Sequence, residues 1–282
     1  MSAEEGPAGG ESVASAATKV AAILVAAGRG ERAESDIPKQ FLPLEGRPLF
    51  IHALAVLAAS PVIGQTTVVV PRGWERRAQD MVEAADLARV NIVAGGPRRQ
   101  DSVWQGLQTL TTETLVLVHD AARPCLSAGL VERTIEAARR CGAATAALPI
   151  TDTVMRADAT KRLPVIVDRT GLWAVQTPQV FEVGLLQAAH ARARAQGTDA
   201  SDDGTLVLGT GHELAFVPGD WSNIKVTEPK DLERARWILR SGVIGADRAT
   251  SSASTPRMSA GDPGSIAAPT PRPEHAPKGL DP

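Results

Sequence analysis

The first residues that could do chemistry form a small-residue loop, Ala26-Ala27-Gly28-Arg29-Gly30-Glu31-Arg32, followed by Ile37-Pro38-Lys39-Gln40. Small side chains let backbone N–H groups approach a phosphate closely. That makes Ala26, Ala27, Gly28 and Gly30 candidates for cradling one. Arg32 and Lys39 add two cations within the same loop. A triphosphate needs this combination: backbone donors along the chain, and cations where charge builds up during transfer. Two other phosphate loops are excluded. A Walker A loop needs Lys-Ser/Thr after its last glycine, and Gly30 is followed by Glu31. A dinucleotide fingerprint needs a third glycine at position 33, which is Ala33.

Further groups follow later strands. Gly95-Gly96-Pro97-Arg98-Arg99-Gln100-Asp101-Ser102 exposes backbone groups and supplies a hydroxyl at a helix start; taken alone it also suits an ordinary strand–helix connection. In Val118-His119-Asp120-Ala121-Ala122-Arg123-Pro124, a carboxylate ends a strand. Asp120 there suits Mg²⁺ or a ribose, and Arg123 suits a phosphate. A hydrolase triad is excluded by the absence of a G-x-S-x-G elbow. Thr151-Asp152-Thr153 and Val167-Asp168-Arg169 carry a hydroxyl and a guanidinium on two sides of a polar turn. In Thr198-Asp199-Ala200-Ser201-Asp202-Asp203 the simplest role is N-capping. Lys225, in Asn223-Ile224-Lys225-Val226-Thr227, is placed to reach phosphates. His52, His190, His212 and His275 show no ligand spacing and read as surface or helix-face residues.

The A-A-G-x-G-x-R…P-K loop resembles that of the sugar-nucleotide pyrophosphorylase superfamily. Pro38-Lys39-Gln40 with His119-Asp120-Ala121-Ala122-Arg123-Pro124 is similar to the 2-C-methyl-D-erythritol 4-phosphate cytidylyltransferase family, over about Val20 to Arg240. The resemblance implies CMP transfer from CTP to 2-C-methyl-D-erythritol 4-phosphate, with release of pyrophosphate, in the non-mevalonate route to isoprenoids. It implies Arg32 and Lys39 as catalytic cations, Gly96 and Ser102 on the cytosine, and Mg²⁺ beside Asp120. It also implies Thr153, Arg169, Thr177 and Ser201 on the methylerythritol phosphate, with Thr153 and Arg169 reaching across a homodimer. Ribitol 5-phosphate cytidylyltransferases share the His-Asp-Ala-Ala-Arg-Pro element, and a catalytically silent nucleotide-binding regulator is the alternative from another class. A bifunctional chain is not expected, because that needs another domain of about 150 residues.

These residues need a scaffold that brings several loops to one edge. Apolar runs at Val20–Ala26, Thr66–Val70, Val90–Val93, Leu115–Val118 and Ala143–Leu148 read as buried strands. Helical patterns over Pro48–Ala59, Trp74–Ala88, Gln100–Leu110 and Ser127–Cys141 alternate with them, Ser127 as N-cap and Gly142 just past the end. The alternation predicts an α/β, Rossmann-like, mainly parallel twisted sheet flanked by helices. Its ligands sit beyond the carboxyl ends of the strands. Residues 151–172 break the pattern as a protruding β-hairpin, a common dimerisation arm. A helix over Glu182–Gln196, strands over Leu214–Val217 and Asn223–Val226, and a helix from Glu228 to Arg240 complete the reading.

The flanks differ in composition. Residues 1–18 hold no Lys or Arg and no apolar run, which predicts a disordered acidic lead and a cytoplasmic location. Residues 241–282 hold 7 of the 20 prolines and read as a disordered tail, leaving 19–240 as one domain. A formal charge of −2 offers no global basic field for nucleic acid, and no apolar run approaches the ~20 residues of a membrane span. Two cysteines exclude a disulfide scaffold.

Overall fold

The computed structural model of the chain describes residues 20–28, 37–157 and 164–244, and the backbone of 257–258. Arg32, Gly30 and the lead 1–18 lie outside the described residues, as does most of the tail. The elements in order are β1 (Val20–Val25), a 3₁₀ turn (Lys39–Phe41), β2 (Pro43–Leu44), β3 (Arg47–Pro48), α1 (Leu49–Ala59), β4 (Ile63–Val70), α2 (Glu75–Ala84), β5 (Val90–Ala94), α3 (Arg99–Leu107) and β6 (Leu115–Asp120). Then come α4 (Ala128–Cys141), β7 (Ala143–Pro149), β8 (Val154–Arg156), β9 (Val165–Val167), β10 (Trp173–Glu182), α5 (Val183–Gln196), α6 (Asp203–Leu208), β11 (Leu214–Pro218), α7 (Pro229–Ser241) and β12 (Arg257–Met258).

The main sheet has the order β12-β11-β7-β10-β6-β1-β4-β5. β1 pairs in parallel with β4 on one side and β6 on the other. After β1 the chain winds outward through β4 and β5, then returns to the opposite side of β1 for β6. That reversal opens a crevice at the carboxyl ends of β1 and β6, where ligands bind in such sheets.

The strands are apolar on both faces because helices cover both. Leu24, Leu117 and Val68 pack in one cluster with Leu54, Ala78 and Leu130 of α1, α2 and α4. Ile23, Val116 and Val118 pack in another with Val103, Leu107 and Leu186 of α3 and α5. Gly106 lets α3 approach β1: a Cβ there would lie 2.7 Å from Ile23 Cγ2. As expected, Ser127 caps α4, accepting from Leu130 N, and Gly142 closes the helix with φ +78°.

β10 and residues 223–226 differ from the sequence reading. β10 is a ten-residue strand, antiparallel to both β6 and β7 and inserted between them. Its middle, Gln176-Thr177-Pro178-Gln179, lacks a strand's apolar signature, and its register shifts there. Residues 223–226 are not a strand. Their backbone is tied instead by Val226 N to Ala122 O at 2.7 Å, and by Asn223 Nδ2 to Thr177 O at 2.8 Å. Of the two places expected for His190, surface or helix face, it takes the second. It sits on α5 but is fully buried rather than at the surface. His52 and His212 are partly buried, their Nε2 atoms against the carbonyls of Leu44 and Cys141.

The predicted hairpin is present as a separate two-stranded sheet, β8 with β9, pairing Val154 with Val167 and Arg156 with Val165. Its turn, 158–163, lies outside the described residues. Met155, Val165 and Ile166 stay exposed on it, Ile166 at 68%. At the carboxyl end, α7 runs to Ser241, and Val243 and Ile244 pack on the cluster of Leu44, Leu49 and Ile238. Arg257–Met258 pair with Ala215 and Leu214, so an edge strand falls within the segment read as tail.

Candidate active site

A cleft of about 760 Å³ opens at the crevice beside β1. It is lined by Val25 to Gly28, by Gly95–Arg99 with Ser102, by Asp120 and Ala122, and by Lys39, Arg72 and Lys225. Eight residues singled out from the sequence meet here: Ala26, Ala27, Gly28, Lys39, Gly96, Ser102, Asp120 and Lys225.

The glycine-rich floor is held from below. Gln40, buried behind Lys39, donates from Nε2 to the carbonyl of Ala26 and, at 2.9 Å, to that of Gly28. With the Ala26 carbonyl turned to Gln40, the N–H of Ala27 in the same trans peptide points the opposite way and is left for a ligand. Gly95 fits against this floor because a Cβ would lie 2.4 Å from Ala27 Cβ. Ser102 closes the opposite wall locally. Its hydroxyl accepts from Gly96 N at 3.2 Å and donates to Arg98 O at 3.0 Å.

Asp120 is the electrostatic centre. Arg99 Nε donates to Oδ1 at 2.9 Å and Lys225 Nζ to Oδ2 at 2.8 Å. Burial works against its charge, but Arg99 and Lys225 outweigh it and hold the carboxyl well below the usual range. Its backbone is fixed by a polar chain. Asp120 N donates to Thr177 Oγ1 at 3.0 Å, and Thr177 Oγ1 lies 3.0 Å from His119 Nδ1. His119 Nε2 lies 3.1 Å from Arg123 O. A carbonyl can only accept, so Nε2 carries the proton and Nδ1 accepts from Thr177. Burial pushes the His119 pKa down to about 4, consistent with that neutral tautomer.

Other sequence candidates stand apart from the cleft lining. Arg123 turns its guanidinium to Asn223 O at 2.8 Å, bracing the loop that carries Lys225. Burial lowers its pKa. The Thr177 hydroxyl is engaged with His119 and Asp120. Thr153 and Arg169 are exposed at the base of the hairpin, Arg169 donating to Thr151 O. Ser201 is exposed, and its neighbour Asp202 caps α6 through Thr205 N at 2.8 Å.

Sequence reasoning assigned no role to Arg72, Arg98 or Arg99, all of which line the cleft. A helical spacing does carry a signal for Arg99. It lies four residues before Val103 and seven before Gly106, on the face of α3 that packs against the sheet. Arg98, one residue earlier, pairs with Asp101 through two 2.9 Å hydrogen bonds. Among the described residues that line it, Lys39, Arg72, Arg98, Arg99 and Lys225 are cationic and Asp120 alone is anionic. This excess suits a polyanion.

Among the described residues, no three His, Cys, Asp or Glu side chains gather as a metal cage. Mg²⁺ commonly binds through one or two carboxylates plus substrate phosphates. Asp120 fits that mode. Lys225, 42% exposed, is free to swing away from Oδ2 when an ion carried by phosphates arrives.

Comparison with known proteins agrees with this geometry. The family model described as 2-C-methyl-D-erythritol 4-phosphate cytidylyltransferase matches residues 20–241. A protein of that name from Pelotomaculum thermopropionicum is 40% identical over 226 residues, covering 79% of this chain and 95% of that one. A "Bifunctional enzyme IspD/IspF" from Anaeromyxobacter dehalogenans is 44% identical over 229 residues; the match covers 80% of this chain and only 58% of that longer one. The crystal structure of the cytidylyltransferase from Thermus thermophilus superposes with a TM-score of 0.67 at 37% identity, over 79% of this chain and 99% of that one.

Proposed function

Because the chain belongs to the 2-C-methyl-D-erythritol 4-phosphate cytidylyltransferase family, we propose that it transfers CMP from CTP to 2-C-methyl-D-erythritol 4-phosphate. The products are 4-diphosphocytidyl-2-C-methyl-D-erythritol and pyrophosphate. The observation that carries this reading is the cation-rich cleft at the sheet reversal, floored by backbone rather than by side chains.

The acceptor phosphate is already an anionic nucleophile, so no side chain need remove a proton. One of its oxygens forms a bond to the α-phosphorus of CTP, and the bond from that phosphorus to the bridging oxygen of pyrophosphate breaks. The obstacle is repulsion between two anions, so positioning and positive charge carry the catalysis. Lys39 lies beside the backbone floor and meets the charge that builds on the α-phosphoryl oxygens. Arg32 shares this role. Lys225 holds the phosphates, and Gly96 with the loop closed by Ser102 faces the base. Asp120 provides the protein ligand for Mg²⁺, which supplies charge neutralisation of the triphosphate when bound.

Thr153, Arg169 and Ser201 bind the acceptor, with the hairpin delivering the first two to a partner's cleft in a homodimer. The support is twofold. Both residues lie outside the lining of their own cleft, and the hairpin leaves Met155, Val165 and Ile166 uncovered. A two-stranded hairpin is marginal without further packing. No helix among the described residues is long and apolar enough to cross a membrane. Both substrates are highly charged and water-soluble, so a cytoplasmic setting belongs to the same proposal, as does 19–240 as the catalytic domain.

Acceptor labelled with ¹⁸O in its phosphate tests the direction of attack. All label is expected in 4-diphosphocytidyl-2-C-methyl-D-erythritol and none in pyrophosphate. Label in the pyrophosphate, or no cytidylylated product, overturns the proposal.

A further inference from the structure

A buried polar relay runs from the cleft into the second helical layer. Arg99 Nε donates to Asp120 Oδ1 at 2.9 Å, and Arg99 Nη1 donates to Asp203 Oδ2 at 2.8 Å. The other oxygen of Asp203, Oδ1, accepts from His190 Nε2 at 2.9 Å. Asp203 is 1% exposed and His190 is fully buried, with its ring stacked 6.3 Å from that of Trp104. Neither residue lines the cleft.

We infer that Asp203 and His190 are positioning residues for Asp120, acting through Arg99. This rests on the proposed nucleotide site but concerns residues that touch no substrate. The guanidinium is a planar fork with donors fixed in direction. With Asp203 on one edge, only the Nε edge faces Asp120, and it takes one carboxylate oxygen. Oδ2 is thereby left toward Lys225 and the cleft. Without Asp203, the fork is free to rotate and engage both oxygens of Asp120, closing that carboxylate to a ligand. His190 fixes which oxygen of Asp203 Arg99 receives.

The docking of the 199–203 segment supports the relay. Arg98 Nη1 lies 3.8 Å from Asp199 Oδ1, and Gln100 Oε1 accepts from Ala200 N at 3.3 Å. Three consecutive residues at the start of α3 thus hold the segment that supplies Asp203. Burial opposes the charge of Asp203, yet Arg99 and the His190 hydrogen bond keep its pKa below the usual range. Asp203 is therefore a full counter-charge for Arg99. Residues that orient a ligand-binding group from behind typically change affinity or activity by about 10–100-fold when lost.

The test compares the full chain with Asp203→Asn, His190→Leu and His190→Gln, reading CTP affinity by calorimetry without acceptor and KM for the acceptor at saturating CTP. Asp203→Asn is expected to weaken CTP binding by about 10–100-fold, and His190→Leu by about tenfold. His190→Gln, which keeps an N–H for Asp203, is expected to stay within about threefold of the parent. Acceptor KM is expected to stay within about twofold in all three, a split that general loosening of the fold would not give. Folded Asp203→Asn or His190→Leu protein with parental CTP affinity overturns the inference, as does equal loss in both His190 variants. If Asp203→Asn does not fold, the His190 pair decides alone. Parental protein that binds CTP yet turns over no acceptor would count against the proposed function and leave the relay standing.

Discussion

Acidification should destabilise the fold through His119 before the carboxylates titrate. The imidazole is fully buried, donates from Nε2 to Arg123 O and accepts at Nδ1 from Thr177. A proton on Nδ1 would stop the Thr177 hydroxyl from donating there and place a charge in a dry site. The folded pKa is about 4 against an ordinary 6.5. Between those values the unfolded chain binds more protons than the folded one, so stability falls as pH falls. The contribution is intact above about pH 6.5 and fully lost below about pH 4, with a total of about 3 kcal/mol. At pH 5 the expected loss relative to pH 7.5 is about 2 kcal/mol. Urea unfolding of the parent and of His119→Asn at both pH values, without divalent cations, isolates the contribution. Asn lacks a titrating group, so its loss on acidification should be smaller by that amount. Equal losses in the two proteins, or a parent whose stability changes by less than about 0.5 kcal/mol, would refute the reasoning.

Substitutions at four positions probe the cleft and the hairpin. Lys39→Ala should lower kcat by about 10²–10³ while weakening CTP binding less than tenfold; unchanged turnover removes its catalytic role. Gln40→Ala frees the carbonyls of Ala26 and Gly28 and should cost about 1–3 kcal/mol in chemical denaturation with a matching loss of CTP affinity. Gln40→Glu should be worse, since it sets a carboxylate against two carbonyl oxygens. Arg169→Ala should raise the acceptor KM at least tenfold with CTP affinity within twofold, and Ile166→Asp should shift the parent's sedimentation toward a monomer. A fully active monomer would rule out delivery across subunits.

The sheet was legible because its parallel strands are continuous apolar runs, as at Val20–Val25 and Leu115–Val118, and both faces are covered. The loop residues that line the cleft were legible for a related reason: in this architecture ligands gather where strands end, so Gly28, Gly96 and Asp120 follow from strand positions alone. β10 was hidden because its centre is polar. Gln176, Thr177 and Gln179 are buried there by bonding to Asp220, His119 and Thr145, partners distant in sequence. The strand expected at 223–226 shows the converse, a sequence with strand propensity held as a loop by Asn223 and Arg123. The burial and pairing of His190 were hidden because its partner, Asp203, is brought to it only by the packing of α6 on α5. Arg99 was written into the sequence by its helical spacing, but which carboxylates it would join was not.

The proposed CMP transfer is decided by turnover with each of the four ribonucleoside triphosphates against 2-C-methyl-D-erythritol 4-phosphate and ribitol 5-phosphate, read as pyrophosphate release. Rapid release is expected with CTP and the methylerythritol phosphate, and at least a hundredfold less with any other pairing. Preference for ribitol 5-phosphate, or no release from any pair, would contradict it.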